Sequence, residues 1–313
     1  MYRTRVVPLF FALVALISAC APGTVPGAAA PSKLVIAVQP TATPETLSAD
    51  AKELRTYLAT KLGRDVEIIF PTTYAGVVEA LRFGHAQAAF MSAWPASLAV
   101  KHAGADVALA EIREVVIGQS KVEEPFYFSY WVVRKDSPIT KLAELRGRKA
   151  ALTSSLSTSG YVAPVARMVE LGLITVAPGR EADPKAFFGE VSLPGGYQQA
   201  WEALRSGQVD VAVIAGDVSE KLYREVLDNT KVIEQQGPVP SHAVVFAKDL
   251  NSADRGTLKE ALLSLNAPER RPLMRTFISG IFVGFKETNA TEHLAALDRY
   301  LDLTKLAFVE RLR

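Results

Sequence analysis

Three consecutive hydroxyl-bearing residues, Ser157, Thr158 and Ser159, stand between a predicted strand and a predicted helix over 160–171. Serine and threonine favour helix starts, where the side-chain oxygen accepts a hydrogen bond from a backbone N–H group. The first turn of a helix also has unpaired N–H groups and a partial positive charge. These groups and three hydroxyls could bind an anion without a lysine or an arginine. The alternative is a plain helix cap inside the serine-rich loop 153–159.

A repeated pattern marks further candidate positions. Residues 74–84 and 197–207 both have the pattern Y-x-x-x-x-E-A-L-R-x-G, and each copy is followed by a short apolar stretch. Ligands of open α/β sheets bind beyond the carboxyl ends of the strands. If the repeats come from two related halves that face each other, one site would contain the helix starts and the strand ends, namely Tyr74, Tyr197, Ser92, Trp94 and Asp217. The alternative is a chance similarity of two amphipathic helices, with Trp94 in the core.

The elements that must position these residues alternate between strand and helix, and the alternation restarts near residue 149. The apolar stretches predict strands over 34–38, 66–70, 86–90, 149–152, 186–191 and 209–214. The amphipathic stretches predict helices over 48–62, 74–83, 160–171, 197–206 and 217–229. This alternation is typical of an α/β protein with mostly parallel sheets flanked by helices.

The restart predicts two lobes. The aromatic and β-branched stretches 126–134 and 242–248 are interpreted as the crossings between them, with His242 as a structural residue at a strand end. Lobe 1 is then 33–126, to which 246–313 return through helices over 258–265 and 293–303, and lobe 2 is 127–245.

The N-terminus has the layout of an export signal. Arg3 and Arg5 precede an apolar stretch over 6–17, and the sequence ISAC ends at Cys20, the one cysteine of the 313 residues. The stretch is shorter than the roughly 20 residues that cross a bilayer, and small residues before a cleavage point are typical of signal peptides. The pattern resembles a lipobox and predicts a signal peptide over 1–19, lipidation of Cys20 and a flexible tether over 20–32. The alternative is an ordinary signal peptide with an incidental cysteine.

The composition and the absence of known motifs argue against several classes of protein function. The formal charge is only +2, so the chain has no general attraction for nucleic acid. A single cysteine allows no intrachain disulfide and no cysteine metal cluster, and the four histidines are scattered, so we expect no metal and no cofactor. The chain has no G-x-S-x-G, H-E-x-x-H, Walker A or G-x-G-x-x-G motif, and no catalytic triad can be read from it. We therefore do not expect an enzyme.

The S-T-S-G helix start resembles the phosphonate-binding, PhnD-type periplasmic proteins of phosphate, phosphonate and phosphite importers. Further stretches match the family and occur in the same order as in its members, so the resemblance covers nearly all of 33–285. These stretches are 70–74 with 79–82, 90–95, 136–139 with 145–147, and 240–242 with 249–250. The resemblance implies a two-lobed, type II periplasmic-binding fold. It also implies that Ser157, Thr158 and Ser159 hold an oxyanion, that Tyr74 donates from the opposite lobe, and that Asp217 lies in the cleft.

Two features bear on the ligand. Relatives often have a Gly-Ser-His-Asp run where this chain has PGGYQ over 194–198, so a histidine contact is missing and Tyr197 or Gln198 takes its place. A carboxylate such as Asp217 repels a nearby anion unless something positive or protonated lies between them. Asp217 could accept a hydrogen bond from a P–OH group, pair with the ammonium of an aminoalkylphosphonate, or merely cap the helix over 217–229.

The resemblance therefore implies a monomeric solute-binding lipoprotein of an ABC importer, held to the membrane in the periplasm or at the cell surface. Its ligand would be a phosphonate, phosphite or phosphate, and its partners the importer's permease and ATPase. Three alternatives remain at this point. They are the same fold as the sensor of a signalling partner, an importer subunit for another oxyanion or a small organic acid, and a periplasmic hydrolase, which no motif supports.

Overall fold

The computed structural model describes residues 33–40, 48–49, 51–117, 120–218, 220–275 and 280–307. The predicted signal peptide, Cys20 and the tether lie outside the described residues. None of the helices in the described ranges is long and apolar enough to span a membrane.

The strands, in chain order, are β1 (Lys33–Val38), β2 (Asp65–Ile69), β3 (Ala88–Met91), β4 (Asp106–Ile117), β5 (Ser120–Glu124), β6 (Phe126–Arg134), β7 (Lys149–Ala151), β8 (Glu190–Ser192), β9 (Val211–Ala215), β10 (Thr230–Pro240), β11 (Ala243–Phe246) and β12 (Phe282–Glu287). The helices are α1 (Lys52–Leu62), α2 (Tyr74–Arg82), α3 (Ala93–Ala103), α4 (Ala163–Glu170), α5 (Tyr197–Arg205), α6 (Glu220–Asn229), α7 (Ser252–Leu263), α8 (Arg271–Arg275), α9 (Ala290–His293) and α10 (Ala295–Thr304). The α/β class predicted from the alternation is confirmed.

The strands form two sheets. The first has the order β12-β4-β11-β3-β1-β2, with β5 paired to β4, and the second has the order β10-β6-β9-β7-β8. The sheets are mixed rather than mostly parallel. β1 pairs in parallel with β2 and β3, and β7 with β8 and β9, whereas β4, β6, β10, β11 and β12 pair antiparallel. The chain passes from β4 through β5 to β6 without a helix. Parallel pairing of consecutive strands needs a crossover connection, so β5 pairs with β4 in the antiparallel direction.

The chain passes between the sheets after Glu124 and after Pro240. β6 belongs to the second sheet, and β11 belongs to the first because it pairs with β3 and β4. The return therefore comes earlier than the expected boundary at residue 245. The last helix, α10, packs on α4 and β10 of the second half, and Tyr300 Oη donates to the Pro238 carbonyl at 2.8 Å. Of the C-terminal segment that was expected to return to the first half, β12 pairs with β4 of the first sheet, whereas α10 packs on the second half.

Two predicted elements differ in detail. The expected strand over 186–191 is a 3-10 turn, Pro184–Ala186, followed by the short strand β8, because Phe187 and Phe188 turn inward and pack edge to face in the core. The expected helix over 217–229 begins at Glu220, so Asp217 lies before its first turn. Other predicted elements match with shifts of a few residues at their ends.

Each sheet has a buried apolar layer on both faces. The layer that contains Tyr74 and Trp94 also contains Tyr127, Val162 and Ala215 of the second half. The apolar packing is therefore continuous from one half to the other, and it surrounds the polar residues described next.

Candidate functional site

The turn that begins at Ser157 has the geometry of a helix cap. Ser157 Oγ accepts a hydrogen bond from the Gly160 N–H at 3.0 Å, and a π-helical turn, Thr158–Val162, leads into α4. Gly160 is required by packing, since a Cβ atom there would lie 1.9 Å from Thr153 Oγ1. The local sequence therefore fixes the three hydroxyls at the start of a helix, as predicted.

All three hydroxyls are buried and contact other elements. Thr158 Oγ1 accepts from the Trp94 backbone N–H at 2.8 Å, and the Tyr74 hydroxyl faces Ser157. Ser159 Oγ accepts from Tyr127 Oη at 2.7 Å and lies 2.6 Å from Tyr197 Oη. Tyr74 and Trp94 lie in the first turns of helices of the first half, whereas the hydroxyl residues and Tyr197 belong to the second. The structure thus brings these predicted residues together at the junction of the two sheets.

The tyrosines of this cluster are neutral donors. Burial raises the pKa of Tyr74 to about 12 and raises the pKa of Tyr127 and Tyr197 well above their ordinary values. Their hydroxyl protons are therefore retained at neutral pH. With Ser157, Thr158 and Ser159 they form an uncharged cluster of hydroxyl groups beside the N-terminus of α4, which suits an oxyanion because each hydroxyl can donate to a negative oxygen.

Gln198, the other candidate for the position of the missing histidine, does not contribute its side chain to the hydroxyl cluster. Its side-chain amide donates to Glu202 Oε1 on its own helix at 2.9 Å, and the side chain is exposed. Tyr197 is the residue that enters the hydroxyl cluster.

A buried ion network lies next to the hydroxyl cluster. Arg113 on β4 is fully buried, and its guanidinium donates from Nη1 to Asp217 Oδ2 at 2.7 Å. On its other side, Nε and Nη2 donate to Glu111 Oε2 at 3.2 and 2.7 Å. The ring of Tyr127 lies 4.5 Å from the guanidinium carbon. Asp217, which the sequence allowed as a ligand contact or a cap, therefore has a charged partner within the chain.

The charges of this network are set by its geometry. Burial alone would lower the pKa of Arg113, but the carboxylates of Asp217 and Glu111 outweigh it and raise that pKa. Burial raises the pKa of Glu111, partly opposed by Arg113. Arg113 is therefore a permanent buried cation between two carboxyl groups.

His242 completes the network as a neutral ring. Gln39 Oε1 accepts from the Ser92 backbone N–H at 2.6 Å, which turns the Gln39 amide nitrogen toward His242 Nε2 at 2.9 Å. His242 Nε2 is then an acceptor, so the ring proton is on Nδ1, 3.7 Å from Glu111 Oε1. Burial lowers the pKa of His242 well below 6.5. Ser92 Oγ, in contrast, is buried and meets no hydrogen-bond partner among the described residues.

Sequence reasoning missed Tyr127, Glu111 and Arg113. A signal for Tyr127 was present, because alternate residues of a strand face the same side and Tyr127 shares the inward face of β6 with Ser129 and Trp131. Glu111 and Arg113 are likewise two residues apart, but no strand was predicted over 106–117. The described ranges hold no cluster of His, Cys, Asp and Glu side chains arranged to bind a metal.

Acid is expected to destabilise the fold through its buried histidines. Burial lowers the pKa of His293 to about 4, and its Nε2 donates to the Ser241 carbonyl at 2.9 Å. The unfolded chain would protonate this ring near pH 6.5, so it binds more protons than the folded chain between pH 6.5 and about 4, and stability falls as the pH falls through that window. Urea unfolding at pH 7 and pH 4.5 measures the loss. His293→Asn should show a smaller loss than the unaltered protein, and equal losses would contradict this explanation.

The chain matches the sequence model of the family described as "ABC transporter, phosphonate, periplasmic substrate-binding protein" over residues 36–293. It is 25% identical over 222 residues to the phosphonates-binding periplasmic protein of Escherichia coli (strain K12), which covers 68% of this chain and 61% of that protein. It is 31% identical over 181 residues to the phosphate-import protein PhnD of Mycolicibacterium smegmatis, which covers 58% of this chain and 54% of that protein. The aligned region thus spans less than two thirds of the length of either relative.

The fold is also that of a solved binding protein. PhnD1 from Prochlorococcus marinus, in complex with methylphosphonate, superimposes with a TM-score of 0.71 at 14% identity, covering 88% of this chain and 100% of that chain. At this identity the likeness concerns the fold. Since the family match extends over most of the chain, the protein belongs to the phosphonate-binding family of ABC transporter periplasmic substrate-binding proteins.

Proposed function

We propose that this protein is the solute-binding lipoprotein of an ABC importer and that it captures a phosphonate, phosphite or phosphate between two lobes. The observation that carries the proposal is the cluster in which Ser157, Thr158 and Ser159, at a helix N-terminus, meet the Tyr74 and Tyr197 hydroxyls. Such a cluster offers several neutral donors to one compact anion. Membership of the family supports a role in transport for a protein with this cluster.

The oxyanion would replace the hydrogen bonds that the hydroxyls now make to one another. Ser157, Thr158 and Ser159 would donate to its oxygens together with N–H groups of the first turn, which have no intrahelical acceptor at any helix start. Tyr74 and Tyr197 would donate from opposite lobes, and Ser92 would add its hydroxyl, which has no hydrogen-bond partner in the part of the chain that the structure describes. Because the contacts of Trp94 with Thr158 and of Tyr74 with Ser157 join the two halves, the halves must separate to admit a ligand.

The sheet assignments support a division into two lobes with the crossings near residues 125 and 241. Lobe 1 would contain β1–β5, β11 and β12, and lobe 2 would contain β6–β10. The α10 helix would connect the two lobes on the side of α4. Closure of the lobes on the ligand would present one conformation to the permease, which is the partner that moves the solute across the membrane.

We expect Cys20 to be the lipidated N-terminus of the exported protein, which would keep it at the membrane near its permease and ATPase. Mass spectrometry of the protein isolated from membranes should find an N-terminal peptide that begins at Cys20 and carries acyl chains. Cys20→Ser should release the protein from the membrane fraction, because the cysteine sulfur is the acylation site. An unmodified N-terminus on membrane-associated protein would contradict the anchor.

Thermal unfolding with a panel of anions tests the proposed ligand class. A ligand that binds only the folded protein stabilises it, by roughly 2.7 kcal/mol at one hundred times its dissociation constant. At least one of methylphosphonate, phosphite and phosphate should therefore raise Tm by about 5 °C or more, whereas acetate and sulfate should not. A shift with acetate or sulfate and none with the phosphorus oxyanions would overturn the ligand class.

Two alternative roles use the same site. A sensor would bind the same ligand but act on a signalling partner, and the neighbouring genes would then encode a kinase rather than a permease and an ATPase. A periplasmic hydrolase would need a base next to a serine nucleophile. In the described residues the three hydroxyls contact tyrosine hydroxyls and backbone N–H groups, and His242 bonds to Gln39. We therefore favour binding over catalysis.

A further inference from the structure

A carboxylate in an oxyanion site has two ordinary uses, to accept a hydrogen bond from the ligand or to pair with a ligand cation. Asp217 is 7% exposed, and its Oδ2 is already bonded to Arg113 Nη1 at 2.7 Å. Arg113 is a residue of the protein and carries its charge at every physiological pH. The carboxylate that could recognise an ammonium group is therefore already paired with an internal cation before any ligand arrives.

Arg113 cannot easily leave this position. Its Nε and Nη2 are bonded to Glu111 Oε2, from a residue two positions away on the same face of β4. The Tyr127 ring covers the guanidinium at 4.5 Å, and no part of the Arg113 side chain is exposed. A ligand ammonium that reached Asp217 would either displace a buried cation or lie beside it, and both are unfavourable because like charges repel in a poorly solvated site.

The same guanidinium lies behind the hydroxyl cluster. Tyr127 stacks on Arg113 with its ring and donates to Ser159 with its hydroxyl at 2.7 Å. An oxyanion held by Ser159 would thus lie one aromatic ring away from a fixed positive charge. The guanidinium therefore occupies the place beside Asp217 that a cationic group of the ligand would need.

We propose that Arg113 is a specificity-determining residue that, by pairing with Asp217, restricts the cleft to phosphorus oxyanions without an amino group and disfavours aminoalkylphosphonates. The inference rests on the proposed function and narrows it to a ligand class. His242, the other basic side chain that faces Asp217, is 3.7 Å from Oδ2 and accepts a hydrogen bond from Gln39 at the same nitrogen. It therefore does not replace Arg113 as the cation.

Calorimetric titration with ethylphosphonate and 2-aminoethylphosphonate tests the inference, since the two ligands have the same carbon chain and differ only in the amino group. The unaltered protein should bind ethylphosphonate at least about tenfold more tightly than 2-aminoethylphosphonate, which corresponds to one charge-assisted hydrogen bond. Tighter binding of 2-aminoethylphosphonate would overturn the inference and leave the proposed function intact. If neither phosphonate nor phosphite nor phosphate binds, the proposed function fails instead.

A gain-of-preference variant adds an independent test. The double variant Glu111→Gln with Arg113→Met removes one negative and one positive charge, so the formal charge of the network is unchanged while Asp217 loses its partner. Relative to Glu111→Gln alone, which keeps Arg113 paired with Asp217, the double variant should shift the preference toward 2-aminoethylphosphonate by about tenfold or more. Adding Asp217→Asn should remove that shift. A folded double variant without the shift would contradict the role of Arg113, and if it does not fold, the comparison in the unaltered protein decides.

Discussion

Arg113→Met is expected to lower the free energy of unfolding by about 3–5 kcal/mol, the usual cost of removing one partner from a buried ion pair. Methionine fills part of the space of the arginine stem but leaves the carboxyl groups of Glu111 and Asp217 buried without their shared cation. Both carboxyl groups are almost completely shielded from water. Chemical denaturation of the protein without ligand measures this loss.

A surface ion pair provides the matched control. Lys259 Nζ lies 2.8 Å from Glu287 Oε2, but the two side chains are 35% and 60% exposed. Lys259→Met should change stability by less than about 1 kcal/mol, because water solvates the partner that remains. A loss below about 1 kcal/mol for Arg113→Met as well would mean that the network is open to solvent, and the charge argument for specificity would lose its basis.

Alanine at Thr158 or Ser159 is expected to weaken binding of methylphosphonate by about 10- to 150-fold for each substitution, because a hydrogen bond to a charged group contributes about 1.5–3 kcal/mol. Ser157→Ala should have an effect in the same range and should also lower stability by about 0.5–2 kcal/mol, since Ser157 caps the turn through the Gly160 N–H. Calorimetry gives the affinities, and denaturation without ligand separates the cap from the binding contact.

Ser155→Ala is the control for these variants. Ser155 lies in the same loop but is exposed. Its replacement should change neither affinity nor stability appreciably. Unchanged affinity in all three hydroxyl variants would refute the assignment of the anion site, and equal losses in Ser155→Ala would indicate a general effect of the loop rather than contacts to the ligand.

The hydroxyl half of the site could be predicted because it is encoded locally. Ser157, Thr158 and Ser159 are consecutive and followed by a glycine, and helix capping depends only on neighbours in the sequence. The repeated pattern located Tyr74 and Tyr197, and in the structure each is the first residue of its helix, α2 or α5. Their hydroxyls reach Ser157 and Ser159 respectively.

The charged half could not be predicted in the same way. Glu111 and Arg113 lie on β4, which runs antiparallel to β5, β11 and β12 and lacks the strand–helix alternation that revealed the parallel strands. Asp217 was found from the strand end, but its partner is 104 residues away in sequence. Only the fold brings the two together, so the sequence allowed a ligand cation or a P–OH group at Asp217 and did not suggest an internal arginine.

A crystal structure of the protein grown with methylphosphonate tests the central claim most directly. We expect the phosphonate oxygens to lie about 2.6–3.2 Å from the hydroxyls of Thr158 and Ser159, with Tyr74 and Tyr197 contacting the anion from either side and Arg113 still bonded to Asp217. A phosphonate bound elsewhere, with the contacts of Tyr127 and Tyr197 to Ser159 retained, would contradict the claim that this cluster is the binding site.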